Sequence, residues 1–198
     1  MGIFQPTHQA QSDERLMELV RRGDEKAFTT LYDRYARRLL GYFHRMLWKD
    51  RERAEDLLQE VFTKLAQRPE IYDPSRSFST WLFSVANNMC KNEYRHEEVR
   101  RKAVPHLKYA QNGIEEARGG AGIDRENFRS RLDAELDLLS EDHKATFVMR
   151  YHEDMAIKEI AAAFGCSEGT VKSRLFYTLK KLAERLKEFD PSALHHGK

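Results

Sequence analysis

Long apolar runs are missing from this chain of 198 residues. No window approaches the about 20 apolar residues that a membrane span needs, so insertion into a bilayer is not expected. The start, Met1-Gly2-Ile3-Phe4-Gln5-Pro6, lacks the basic residues and apolar stretch of a secretory signal. Cysteine is scarce. Cys90 and Cys166 cannot build a disulfide framework, and neither sits in a metal-ligand pair, so a reducing cytoplasm is the natural compartment. The ten glycines include no phosphate-cradling fingerprint. His143, His152, His195 and His196 show no ligand spacing with the cysteines, so no metal is expected. The acid pairs Glu55-Asp56 and Glu97-Glu98 are sequence neighbours, and on a helix neighbours diverge by about 100°. They cannot share one substrate, and no nucleophile–base constellation stands out. An enzyme, a cofactor and a small-molecule substrate are therefore not expected.

Net charge is also nearly absent, at +2 from 34 Lys+Arg and 32 Asp+Glu. That sum hides a separation along the chain. Residues 50–60 (DRERAEDLLQE) hold five acids. Residues 169–187 hold Lys172, Arg174, Lys180, Lys181, Arg185 and Lys187 against Glu184 alone.

What is present is helical periodicity almost throughout. Residues 13–22 form a short amphipathic segment through Leu16, Leu19 and Val20. Asp24 is placed to cap a longer helix in which Ala27, Phe28, Leu31, Tyr35, Leu39, Phe43 and Met46 recur at three- and four-residue steps. A third helix begins near Asp50 and ends at Pro69. After the turn Asp73-Pro74-Ser75, Ser77 or Ser79 can cap a fourth helix that runs to about Arg101. Residues 103–127 hold Pro105 and four of the ten glycines, the composition of a flexible linker. The spacing predicts further helices over 128–189. Residues 1–12 and 190–198 read as tails. The expected fold is all-α: two small helical domains, 13–102 and 128–189, joined by that linker.

The clearest local signal is MAIKEIAAAFGCSEGTVKSRLFYTLKKL, residues 155–182. A short helix over about 157–163 is followed by Gly165, free to make a sharp turn, and by Ser167, a good N-cap. In the next helix Val171, Leu175, Leu179 and Leu182 are expected in the core. Thr170, Lys172, Ser173, Arg174, Phe176 and Tyr177 then lie on or beside the solvent face. This is the pattern of a helix-turn-helix, whose second helix enters the major groove. Lysine and arginine there can meet phosphates or guanine edges. The plainer alternative is a helical hairpin with a solvated basic face.

Residues 77–102 offer a second surface. Asn88, Lys91, Asn92 and Arg95 share one helix face by their three- and four-residue spacing. Amides and bases on one face can hydrogen-bond an unstacked base while holding its phosphates. Trp81 and Phe83 read instead as core.

With these residues in view, the chain resembles bacterial RNA polymerase sigma factors of the extracytoplasmic-function type. Three stretches carry the resemblance. AEDLLQEVFTKL (54–65) resembles the helix that family members dock on the clamp helices of the polymerase β′ subunit. FSTWLFSVANNMCKNEYR (78–95) resembles the segment that recognises and melts the −10 element. EIAAAFGCSEGTVKSRLF (159–176) resembles the −35-reading helix-turn-helix. The resemblance implies that Glu55, Asp56, Leu58, Gln59, Glu60 and Phe62 serve polymerase docking, the four polar residues facing a basic partner surface and Leu58 and Phe62 packing inward or filling the contact. It implies that Asn88 and Asn92 form a pocket for a flipped non-template base, with Lys91 and Arg95 holding the backbone and Ser75 and Arg76 flanking. Thr170, Lys172, Ser173, Arg174, Phe176 and Tyr177 match DNA-facing positions of the −35 reader. The partners implied are core RNA polymerase, through its β′ clamp helices and β flap, promoter DNA, and an anti-sigma factor.

Three positions depart from the family pattern. Arg53 stands where an acid commonly precedes Ala-Glu-Asp, Tyr177 replaces a frequent arginine, and Glu93 sits inside the melting helix, where a neighbouring base could bridge it. The competing reading is a stand-alone helix-turn-helix regulator with an amino-terminal protein-interaction domain. It explains residues 155–182 equally well and leaves 54–65 and 78–95 unused.

Overall fold

The computed structural model describes residues 7–103 and 125–189. Most of the expected linker (104–124), the first half of the expected amino-terminal tail (1–6) and the carboxy-terminal tail (190–198) lie outside the described residues. Eight α-helices and no strand occur among the described residues. They are α1 (Asp13–Val20), α2 (Glu25–Met46), α3 (Arg51–Gln67), α4 (Phe78–Ala103), α5 (Arg125–Asp137), α6 (Glu141–Tyr151), α7 (Ile157–Phe164) and α8 (Glu168–Arg185).

Short polar side chains set most helix starts. Ser12 accepts the Arg15 N–H at 3.2 Å, Asp24 that of Ala27 at 3.0 Å, and Asp50 that of Arg53 at 3.0 Å. Ser77, not Ser79, starts α4, accepting from the Thr80 N–H at 3.3 Å. Such caps contribute typically about 1 kcal/mol each. Ser140 precedes α6 as expected, but its hydroxyl bonds His143 Nδ1 at 2.8 Å instead of a backbone donor. The amino-terminal stretch is not all tail. His8–Ala10 form a 3-10 turn against α2, with His8 Nε2 3.0 Å from Asp24 and Arg34 donating to the Gln9 carbonyl at 2.8 Å.

Helices α1 to α4 form the first lobe. Its core is Leu16, Leu31, Leu39, Phe43, Leu57, Leu65, Phe78, Leu82 and Phe83, all essentially inaccessible. Trp81 is core, as expected, packed edge-on against Tyr72 with centroids 5.5 Å apart. Asn87 is buried too, and its amide oxygen accepts from the Tyr42 hydroxyl at 3.2 Å. A buried polar pair of this kind costs little only because each group satisfies the other.

Helices α5 to α8 form the second lobe, and it packs directly on the first. Helix α7 lies against α4 and α6 against α2. Val148, Met149, Met155, Ile160 and Val171 join the apolar cluster of the first lobe, so one core runs through both. A smaller cluster of Leu136, Phe147, Leu182 and Leu186 holds the far end of the second lobe.

Candidate nucleic-acid interface

The helix-turn-helix forms where the sequence places it. The Glu159 carboxylate accepts from the Ala156 N–H at 2.8 Å and fixes the start of α7. At its end Gly165 adopts φ +63°, and the Cys166 N–H bonds the Ala161 carbonyl at 3.0 Å, closing the helix with a left-handed residue. Ser167 then caps α8, accepting from the Thr170 N–H at 3.1 Å.

The inward stripe of α8 differs from the expectation at one step. Val171, Leu175, Thr178 and Leu182 are buried, whereas Leu179 is exposed. Seven residues from Val171 return to nearly the same face at 3.6 per turn, and position 178, not 179, completes that step. The core therefore receives a hydroxyl where leucine was expected, and Thr178 Oγ1 has no hydrogen-bond partner.

Of the residues assigned to the −35 reader, Lys172, Ser173, Phe176 and Tyr177 are exposed and Thr170 is half-buried. Phe176 and Tyr177 project together, their rings edge-to-face with centroids 5.4 Å apart. Arg174 is different. Its guanidinium pairs with Asp142 of α6 and lies over the Phe164 ring, 5.7 Å from the centroid. In this form it is a bridge inside the second lobe.

On α4, Asn88, Asn92 and Arg95 are exposed and Lys91 is half-buried. Arg95 donates to the Asn92 amide oxygen at 3.3 Å. Lys91 Nζ lies 3.0 Å from Asp142 Oδ1, across the junction between lobes. In the loop before α4, Ser75 donates its N–H to Asp73 at 2.9 Å, and the Ser75 hydroxyl first, with this N–H second, holds the Asp73 carboxyl below its ordinary pKa. Arg76 donates to the Ala162 carbonyl at 3.4 Å. A cleft of about 650 Å³ opens where Trp48, Lys91, Tyr94, Arg95, Glu141 and Asp142 meet.

On α3, Glu55, Asp56 and Gln59 are exposed and Glu60 is half-buried. Their charges have local partners: Arg51 at 2.7 Å from Glu55, Arg53 at 3.5 Å from Asp56, and Lys64 beside Glu60. Exposed pairs of this sort are weak and exchangeable. Leu58 and Phe62, assigned to the same docking surface, point the other way. Both are buried in the lobe's own core, and Phe62 packs on Phe28 and Tyr32 at 6.1 and 4.8 Å. They lie on the inner stripe with Ala54, Leu57, Val61 and Leu65, so they set the shape of the α3 face from behind.

Comparison with known proteins matches this arrangement. Residues 31–100 match the family described as sigma-70 region 2, and residues 129–182 the family described as sigma-70 region 4. The ECF RNA polymerase sigma factor SigL of Mycobacterium tuberculosis is 34% identical over 159 residues, covering 80% of this chain and 88% of SigL. This chain belongs to the extracytoplasmic-function (ECF) RNA polymerase sigma factors. The RNA polymerase sigma-H factor of Pseudomonas aeruginosa is 29% identical over 176 residues, covering 84% of this chain and 89% of that protein. A solved sigma factor, RpoE of Bartonella quintana in complex with the anti-sigma factor NepR, shares the fold at a TM-score of 0.66 and 22% identity, over 82% of this chain and 98% of RpoE. Membership makes this sigma factor an RNA-polymerase-binding protein of promoter-specific transcription initiation, an initiation factor by family and not an enzyme. Among the described residues no helix is long and apolar enough to cross a membrane.

The sequence reading missed Asp142. Its only signal was a first-turn position on α6, which any helix-start acid shares.

Proposed function

We propose that this sigma factor divides promoter recognition between its two lobes. The α4 face captures the melted −10 non-template strand, and α8 reads −35 duplex. The supporting observation is that Asn88 and Asn92 are both exposed, one turn apart on a helix whose inner face is fully packed. A rigid helix with two outward amides can hydrogen-bond the edge of an extruded base, offsetting part of an unstacking cost of about a few kcal/mol. Arg95 beside Asn92, with Lys91 and the loop bearing Ser75 and Arg76, supplies cations and donors for the adjoining backbone. On α8, Lys172, Ser173, Phe176 and Tyr177 are displayed along one exposed surface, with Thr170 and Arg174 at its edge.

Docking on core polymerase falls to the outer face of α3, namely exposed Glu55, Asp56 and Gln59 with half-buried Glu60. An acidic rim over a rigid, well-packed helix suits a basic partner surface and gives salt-sensitive association. By resemblance the β′ clamp helices meet α3 and the β flap meets the second lobe. Neither lobe alone needs to bind DNA tightly, because each raises the other's effective concentration once polymerase fixes their spacing. An anti-sigma factor is the partner that would block these faces, as the complexes of structurally similar sigma factors suggest.

The test is transcription in vitro. Core polymerase with the sigma factor, given genomic DNA of the source organism, is expected to yield transcripts with discrete 5′ ends that core alone does not make. Specific duplex binding in the absence of polymerase, without such transcripts, would overturn this reading in favour of a stand-alone regulator.

A further inference from the structure

The junction between lobes is apolar at its centre and charged around it. Arg38 Nε lies 3.2 Å from Glu153 Oε2, and the same guanidinium donates to the Glu153 carbonyl at 2.9 Å. Lys144, itself buried, bonds Asp137 at 2.7 Å and reaches the Met46 carbonyl at 3.4 Å. Lys49 stands 3.3 Å from Asp133. Charged groups taken out of water in this way give back much of their Coulomb energy as desolvation, so the junction is closed without being permanently bonded.

Three cations of the two reading faces are engaged in the closed chain. Arg76 is held by the Ala162 carbonyl. Lys91 and Arg174 are held by one group, Asp142, which offers Oδ1 to the ammonium of α4 and Oδ2 to the guanidinium of α8. Burial pushes the Asp142 carboxyl up, but Lys91 and Arg174 outweigh it and the group stays ionised. An anion with two oxygens, one for an ammonium and one for a guanidinium, offers what a backbone phosphate offers.

We propose that Asp142 is an internal phosphate surrogate: in the closed chain it occupies Lys91 of the −10 face and Arg174 of the −35 reader at once, so DNA competes with closure of the lobes for Lys91 and with the bridge from α6 to α8 for Arg174. The inference rests on the assignment of those residues to DNA made above. It follows that the free sigma factor holds its readers partly neutralised. Lys91 is released only when the lobes part, and Arg174 when DNA displaces the carboxylate. The observed affinity of the free chain is lowered by the fraction of molecules held closed.

The experiment measures binding of the full chain to a fluorescein-labelled DNA of arbitrary sequence that joins a 30-base-pair duplex to a single-stranded extension, across a salt series. Asp142→Asn is compared with Asp154→Asn, which makes the same charge change in the same lobe at a fully exposed side chain. Asp142→Asn is expected to bind on the order of tenfold tighter than Asp154→Asn, with a salt slope steeper by about 1 to 2. Lys91→Ala is expected to cost more affinity in the Asp142→Asn background than in the native one. Should asparagine destabilise α6, Asp142→Ser, which keeps an oxygen acceptor near the helix start, repeats the comparison. Equal affinity and slope for the 142 and 154 variants overturn the surrogate, and if discrete sigma-dependent 5′ ends persist, the reading of the two faces survives that loss. Absence of those 5′ ends overturns the reading itself.

Discussion

Arg53 and Glu93 form a forked ion pair that ties α3 to α4, with Nε 2.8 Å from Oε2 and the second guanidinium nitrogen on Oε1. These are two of the positions at which the chain departs from its family's pattern, and each is the other's partner. The bridge directs the Arg53 charge toward α4, and it neutralises a carboxylate that sits one residue from Asn92 in sequence.

Removing either side is expected to cost about 1 kcal/mol, since the pair is bidentate but partly exposed. The hydrogen bond from Arg53 holds the Glu93 carboxyl below its ordinary pKa of 4.5. A carboxyl lowered on folding stabilises above its unfolded pKa, and that contribution is lost as pH falls through the folded value. Thermal melts at pH 7 and at acid pH should therefore show Glu93→Gln less stable than wild type at the first, by a gap that narrows at the second as the carboxylate is protonated. An equal gap at both would mean that the charge of Glu93 does not stabilise the fold.

Replacing Asn88 and Asn92 together by alanine is expected to abolish open-complex formation while polymerase binding is kept. Both side chains are exposed, so folding should not suffer. Permanganate footprinting of the promoter reads the melting, and co-elution with core polymerase reads the docking. Normal melting by the double variant would remove the pocket from α4.

The two kinds of basic residue on α8 should separate in the same way. Lys172→Ala with Ser173→Ala changes exposed positions and is expected to weaken upstream-element binding with little change in melting temperature. Arg174→Ala also removes the Asp142 pair and the stacking on Phe164. It is expected to lower the stability of the second lobe as well, by about 1 to 2 kcal/mol. Parallel calorimetry and gel-shift measurements distinguish the two. An unaltered melting temperature for Arg174→Ala would show that its interior contacts carry no weight.

Periodicity and capping made the helices, the turn at Gly165 and the outward Asn88–Arg95 face legible, because those depend on neighbours three or four residues away. What lay beyond reach came from distant pairing. Leu58 and Phe62 could not be placed in core or contact until Phe28 and Tyr32 were seen against Phe62. Thr178 displaced Leu179 from the core because the stripe steps by seven residues, not eight, and hydrophobicity alone favoured the leucine. Asp142 gained its role only from two residues, 51 positions before it and 32 after it, converging on one carboxylate.

The thiols offer a test of how tightly α4 is held. Cys90 lies between Asn88 and Asn92 in sequence but on the opposite face, fully buried, and that burial pushes its thiol far above the ordinary value. Disulfide exchange and reaction with peroxide both need an accessible thiolate, so Cys90 is expected to stay unreactive while α4 is packed. Cys166, in the turn of the helix-turn-helix, is partly accessible. Under native conditions a chromogenic disulfide reagent should titrate one thiol promptly, that of Cys166, and the second only in denaturant. In the Cys166→Ser variant prompt reaction should vanish. If Cys90 reacts as fast as Cys166, the inner face of α4 opens on the reagent's timescale. The helix would then lack the rigidity that base capture by Asn88 and Asn92 requires.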